Sequence, residues 1–269
     1  MPKASAYLKI SLTLVLIFKS KLLLAVVFGA PLTLDHREAK FIVALVKNSA
    51  TESKFICTGT FIHKFDQKGL VLSDDHCQSA THIRFGVDPM NRPIGENLIT
   101  KKIRRGSRNI YRFNPNFFAK AITYQLLNFL NIRDHDLSIY KFSGPTPEEY
   151  QPATLSDAIH KPSEHMAVGG YGAHNVDAIG DSIGLLNLGV VRIDHKTSKF
   201  RTKIRSQQSE RPEVTNGCIG DSGGPLMSYG EGDKEPVVFG LFSSVRSDCL
   251  YGQSTYESIT YHYLSLIHI

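Results

Sequence analysis

A serine opens an amide bond only if one group takes its proton and another holds that base in place, so acyl transfer needs a hydroxyl, a base and an orienting acid. Ser222 stands in "GCIGDSGGPL", residues 217–226, where glycines and a proline make a poor helix, a poor strand and a good tight turn. Such a turn presents Ser222 as a nucleophile, with the N–H groups of Gly220 and Ser222 free to face a developing oxyanion; the plainer alternative is a glycine-rich surface turn with an incidental serine. Of the eleven histidines, His76 in "VLSDDHC" closes a β-like apolar run and directly precedes Cys77, so a disulfide there would fix its backbone. Asp136, in "RDHDLSIYKF", touches the following apolar run more directly than Asp134, and a carboxylate drawn inside needs a partner. Taken singly, a structural histidine and a turn aspartate are the plainer readings of these two.

The elements that must position these groups read as strands. Short apolar or alternating runs such as "FIVALV", "KFICTGTFI", "KGLVLS", "HIRFGV", "DLSIYKF", "HMAVGGYG", "LGVVRI" and "PVVFGLFSSV" are rich in Val, Ile, Phe and Tyr and are separated by Gly, Pro and Asn. That density predicts an antiparallel all-β sandwich or barrel rather than an α/β fold. One internal helix is expected, over residues 117–131 ("FFAKAITYQLLNFLN"), as a turn or two within a long inserted loop. Neither a Gly/Ser/Pro-rich linker nor a repeat divides the chain, so one structural unit is expected, built as a pair of barrels.

At 269 residues the chain can bury a sizeable core, and 42% hydrophobic with 21% charged residues is ordinary for a globular protein. The formal charge is +6, but residues 1–30 hold four lysines and no acid; without that segment about +2 remains, which removes most support for nucleic-acid binding. The segment has early lysines, apolar runs from Ile10 to Phe18 and from Leu22 to Phe28, and the small pair Gly29-Ala30. It reads as a secretory signal, since Lys19 and Lys21 interrupt what a retained membrane anchor would need. The expected organisation is therefore an export segment over 1–30 and one domain over 31–269. Cys57, Cys77, Cys218 and Cys249 form an even set with no CxxC spacing, which favours two disulfides over a zinc site and leaves three pairings open. The run "KKIRRGSRNIYR", residues 101–112, carries six basic residues and reads either as a contact for a polyanion or as a solvated loop or strand edge.

In chain order, "CTGTFIHKFDQKGLVLSDDHC", "DLSIYKF" and "GCIGDSGGPL" resemble the histidine, aspartate and serine blocks of the trypsin-like, chymotrypsin-fold serine peptidases. Lesser likenesses are "FNPNF" (113–117), "GGYGAHNVDAIGDSIGLLNLGVVRI" (169–193) and the closing "YHYLSLI". The resemblance covers roughly residues 26–269. It implies two six-stranded antiparallel β-barrels with a short C-terminal helix and a catalytic site between the barrels. It also implies a secreted endopeptidase acting through an acyl-enzyme, without a cofactor or metal. Ser222 would attack, His76 would act as general base and then acid, and Asp136 would fix the imidazole. Gly220 and Ser222 would form the oxyanion hole, and Ser243 would support the aspartate. The pairings Cys57 to Cys77 and Cys218 to Cys249 are implied in the same way. Expected partners are protein or peptide substrates, with a protein inhibitor and a polyanion at 101–112 as further candidates; a monomer that does not bind nucleic acid is expected, in an extracellular or periplasmic compartment.

Three departures carry their own expectations. Asp74 and Asp75 stand where the family carries two small residues; they would either favour the charged form of His76 and move the pH optimum upward, or face solvent and matter little. The family's new amino terminus, which inserts and pairs with the aspartate before the serine, here Asp221, is missing as "IVGG"; "VVFG" at 26–29 is its divergent candidate, with Val26 as the terminus. The resemblance would put Asn216 at the floor of the primary pocket, beside Gly217, with Ser243 and Val245 along its wall. A floor without a carboxylate disfavours cleavage after Arg or Lys. Catalytically silent relatives serving as binding modules are the alternative, against which the intact His76, Asp136 and Ser222 argue. An esterase on another fold is weaker, since no GxSxG is present.

Overall fold

The computed structural model describes residues 26–27, 29–104, 136–156, 165–175, 182–194, 203–207, 215–228, 235–246 and 248–259. The expected helix at 117–131, the "FNPNF" segment, the closing helix and the basic run beyond residue 104 lie outside them. The described chain is almost entirely β, as the alternating runs predict.

The first half is a closed barrel of β2 (Ile42–Asn48), β3 (Ser53–Phe65), β4 (Lys68–Ser73), β5 (His82–Phe85), β6 (Gly95–Arg104) and β7 (Ser138–Ser143), in the order β2-β3-β4-β7-β6-β5. Closure removes the exposed edges that a six-strand sheet would otherwise present. Register follows the apolar pattern: Leu72 faces Ile139 and Val71 faces Tyr140 across β4 and β7. Inside the barrel Phe61, Phe85, Phe142 and Tyr150 pack with centroids 4.9–6.4 Å apart, mostly edge to face. Each such ring contributes roughly 2–3 kcal/mol by leaving water.

The second half is an eight-stranded sheet. Its main run, β10-β9-β12-β13-β14-β11, comprises β9 (His165–Gly170), β10 (Asn187–Arg192), β11 (Lys203–Arg205), β12 (Pro225–Met227), β13 (Val237–Arg246) and β14 (Gln253–Ser258). The ends of the run meet: the Asp194 N–H donates to the Arg205 carbonyl (2.8 Å) and the Gln207 N–H to that of Arg192 (2.7 Å). β1 (Ala30–Pro31) adds beside β10, and β8 (Thr154–Leu155) runs parallel to β13.

Threonines of β3 join the halves at the serine turn. Thr58 donates its N–H (3.0 Å) and Oγ1 (2.9 Å) to the Gly220 carbonyl, and Thr60 Oγ1 donates to that of Gly223 (3.0 Å). The Tyr171 N–H in turn donates to Thr58 Oγ1 at 3.0 Å.

Candidate active site

Each candidate residue sits at the end of a strand or on a tight turn braced by other elements. β4 ends at Ser73, whose hydroxyl donates to the Thr58 carbonyl (2.8 Å), and a short 3-10 turn, Asp75–Cys77, follows it. His76 lies on that turn, and the Cys57–Cys77 disulfide ties the turn back to β3. Asp136 precedes β7, the neighbour of β4, so adjacent strands deliver the acid and the imidazole to one place. Ser222 comes from the turn before β12, which the second disulfide, Cys218–Cys249, ties down. Gly220 and Gly223 there have φ of +98° and +82°, a region glycine enters without a steric penalty. A Cβ on Gly223 would lie 2.1 Å from Ser73 Oγ and 2.5 Å from the Thr58 carbonyl oxygen, so the close approach of the serine turn to the first barrel also requires glycine.

The three groups form one hydrogen-bonded line. His76 Nδ1 lies 2.6 Å from Asp136 Oδ2, and the His76 backbone N–H donates to Asp136 Oδ1 at 3.0 Å. A carboxylate only accepts, so Nδ1 carries the proton there and Nε2 is left to accept from the Ser222 hydroxyl, 2.9 Å away. Ser243 Oγ donates to Asp136 Oδ2 at 3.3 Å. Burial pushes the Asp136 carboxyl up, but the ring and backbone bonds from His76, its charge, and the Asp75 N–H outweigh this and hold it below the usual carboxylate range.

Within the serine turn the backbone donors alternate in use. The N–H groups of Asp221, Gly223 and Gly224 bind the carbonyls of Cys218, Phe242 and Asp221 at 3.1, 2.8 and 2.8 Å. Those of Gly220 and Ser222 have no acceptor among the described residues, and both residues line a cleft of about 380 Å³ together with His76. Such a pair of unspent donors beside a hydroxyl nucleophile is suited to an oxyanion.

Ser243, Val245, Ile219 and Phe242 also line the cleft; Asn216 and Gly217 do not. Asn216 is buried with both ends of its amide bonded, Nδ2 donating to the Gly252 carbonyl (2.8 Å) and Oδ1 accepting from Ser254 Oγ (2.9 Å). The Phe242 ring lies so close to Gly217 that a Cβ there would meet it at 2.2 Å. Gly217 is thus packed against an aromatic ring that the sequence reading did not single out, and that ring, rather than Asn216 or Gly217, lines the cleft.

Asp221 is fully buried and accepts from the Gly172 N–H and the Cys218 N–H, both at 2.8 Å. Burial raises its carboxyl to about 7, the two N–H bonds only partly opposing this. Val26 is itself fully buried, at φ +44°, and Val27 forms a β-bridge with Asn216.

The solvent-facing alternative for Asp74 and Asp75 does not hold, because both are buried. Asp75 accepts from Ser138 Oγ (2.8 Å) and Gln78 Nε2 (3.3 Å). Asp74 Oδ2 lies 3.8 Å from His76 Nδ1. A further buried acid, Glu257 on β14, also escaped the sequence reading: its Oε1 accepts from the Asp136 N–H (3.4 Å) and pairs with Lys203 (3.1 Å). An isolated acid in an otherwise strand-like run was the available signal, but no local pattern connects it to Asp136. Lys102, within the basic run, turns its ammonium to the Gln78 and Ala80 carbonyls and so is committed to the fold.

A family model described as Trypsin matches residues 33–263. Among solved structures, that of neuropsin, a serine protease expressed in the limbic system of mouse brain, superposes with a TM-score of 0.65 at 18% sequence identity, covering 89% of this chain and 97% of that one. At this identity the likeness speaks to the fold. No curated protein matches the sequence.

Proposed function

The chain belongs to the trypsin family, and from that premise we propose that it is an exported serine endopeptidase in which Ser222, His76 and Asp136 are the catalytic triad. The observation that carries this reading is the unbroken line from Asp136 through His76 to Ser222, at 2.6 and 2.9 Å, opening on the cleft. His76 Nε2 takes the Ser222 proton as Oγ attacks the scissile carbonyl carbon. The carbonyl oxygen, now anionic, is held by the N–H groups of Gly220 and Ser222. His76 then passes the proton to the leaving amine, and a water molecule repeats the sequence on the acyl-enzyme. Asp136 stays ionised and keeps Nδ1 protonated, which its lowered pKa supports. The scheme uses no metal or cofactor.

For specificity we infer a preference for small, uncharged residues before the scissile bond. Phe242 and Val245 line the cleft with apolar side chains, and a basic side chain would find no carboxylate at Asn216. For activation, we infer that the mature chain starts at Val26. Val26 and Val27 are packed into the second sheet, which favours this start over processing at Gly29-Ala30, and the new ammonium would pair with the uncompensated Asp221. Two disulfides fit an extracellular protein.

The processed protein is expected to react with a serine-directed phosphonylating probe at Ser222. Ser222→Ala is expected to abolish labelling and peptide hydrolysis alike; labelling or hydrolysis that survives this substitution would overturn the assignment. Sequencing the mature amino terminus tests the Val26 start. Peptide-library profiling tests the pocket, and a clear Arg or Lys preference would refute it.

A further inference from the structure

Asp74 is a fully buried acid at the catalytic histidine for which the triad has no use. It occupies the second position before His76, and its backbone is fixed by Tyr140, whose hydroxyl donates to the Asp74 carbonyl at 3.0 Å. Its Oδ2 is 3.8 Å from His76 Nδ1, yet neither carboxyl oxygen has a hydrogen-bond partner. Groups from every side act on it: Asp136 ahead of β7, Glu257 on β14, Lys203 on β11 and the Ser222 hydroxyl on the serine turn. Asp75, its neighbour in the chain, is turned away to Ser138 and Gln78.

An anion with no donor, fully out of water and near two further carboxylates, is the least tolerated state this group could adopt, and a single partly exposed lysine that already pairs with Glu257 does not compensate it. Burial, followed by the charges of Asp136 and Glu257, accordingly pushes the carboxyl well above its ordinary range.

We propose that Asp74 is a positioning residue whose proton decides where the Ser222 hydroxyl points. As a neutral acid Asp74 is a weak acceptor, far weaker than the imidazole nitrogen, so the Ser222 O–H stays committed to His76 Nε2, the arrangement seen at 2.9 Å. As a carboxylate Asp74 can only accept, and the Ser222 hydroxyl is the neighbouring donor it can recruit. The hydroxyl then turns from Nε2 and the nucleophile loses its base. The exchange is reversible, and the proton is released to solvent. The enzyme therefore works on the acid side of the Asp74 ionisation and is silenced above it. This inference rests on the triad reading above.

The test is the pH dependence of kcat/KM, and of phosphonylation of Ser222, for the processed wild type, Asp74→Ala and Asp74→Asn, each scaled to its own maximum. Wild type is expected to fall about tenfold per pH unit beyond its alkaline midpoint, while both variants lose that limb or shift it to higher pH and keep their acid limb. An alkaline limb at the same midpoint in all three proteins overturns the proposal, and so does a wild-type rate that stays level where Asp74→Ala stays level. Infrared spectroscopy of the wild type gives a second readout that does not depend on the variants folding: the C=O band of a neutral buried carboxyl is expected at neutral pH and should vanish with the midpoint of the activity. A band absent at neutral pH overturns the proposal. Failure of the triad reading would look different, with no phosphonylation of the wild type at any pH.

Discussion

The hydrogen bond from His76 Nδ1 to Asp136 carries the clearest single-residue prediction. Asp136→Asn puts a donor or a weaker acceptor where a carboxylate fixed the tautomer, so Nε2 would hold a proton and could not accept one from Ser222. A fall in kcat of about 10⁴-fold is expected, the magnitude established for this triad position, measurable by steady-state peptide hydrolysis. Asp221 makes a second, with the sign set by its raised carboxyl. In the chain uncut before Val26, the folded state holds a proton that the unfolded chain releases. The stabilisation is thus full below the ordinary carboxylate value of 3.8 and is lost as pH rises through about 7. The loss is on the order of 4 kcal/mol. A chain beginning at Val26 would supply an ammonium partner and remove this loss. Urea unfolding of the two forms at several pH values between these limits should show a difference in stability that grows with pH.

Among the elements, the turn after β4 and the strand β13 matter most. The Asp75–Cys77 turn is held by the Cys57–Cys77 disulfide and by Ser138 on β7, whose hydroxyl donates to the buried Asp75. Ser138→Ala leaves that carboxylate with fewer donors, and a stability loss of about 1–3 kcal/mol is expected by thermal or urea unfolding. Activity should fall as well, since the same turn carries His76. On β13, Phe242→Val opens the space against Gly217. Library profiling of this variant is expected to show larger apolar residues accepted before the scissile bond, with stability lowered by roughly 1–3 kcal/mol for the lost aromatic burial.

In the whole molecule, the nucleophile's turn is anchored on the other half of the fold. Thr60 Oγ1 and Thr58 hold the Gly223 and Gly220 carbonyls, so the relative position of the two halves sets the Ser222 to His76 distance. Thr60→Val keeps the shape and leaves the buried Gly223 carbonyl one donor short. A stability cost of about 1–2 kcal/mol is expected, with a larger fractional drop in kcat/KM than in stability-matched variants remote from this junction, because small displacements of reacting groups are costly.

The strands were legible because alternation and β-branched runs report burial locally, and "SDDHC" and "GDSGGP" placed His76 and Ser222 because tight turns demand particular residues in sequence. Asp136 was readable as a carboxylate entering an apolar run, and Ser243 came only through the resemblance to a family. Other features had no local signal. Glu257 meets the Asp136 backbone across 121 residues of chain, Phe242 packs its ring against Gly217 on a different segment, and Lys102 leaves the basic run to cap carbonyls near His76. Whether Asp74 faced water or the triad also lay beyond the sequence. Composition and periodicity fix which residues must leave water, whereas the company a buried charge keeps depends on which distant strands the barrels bring beside it.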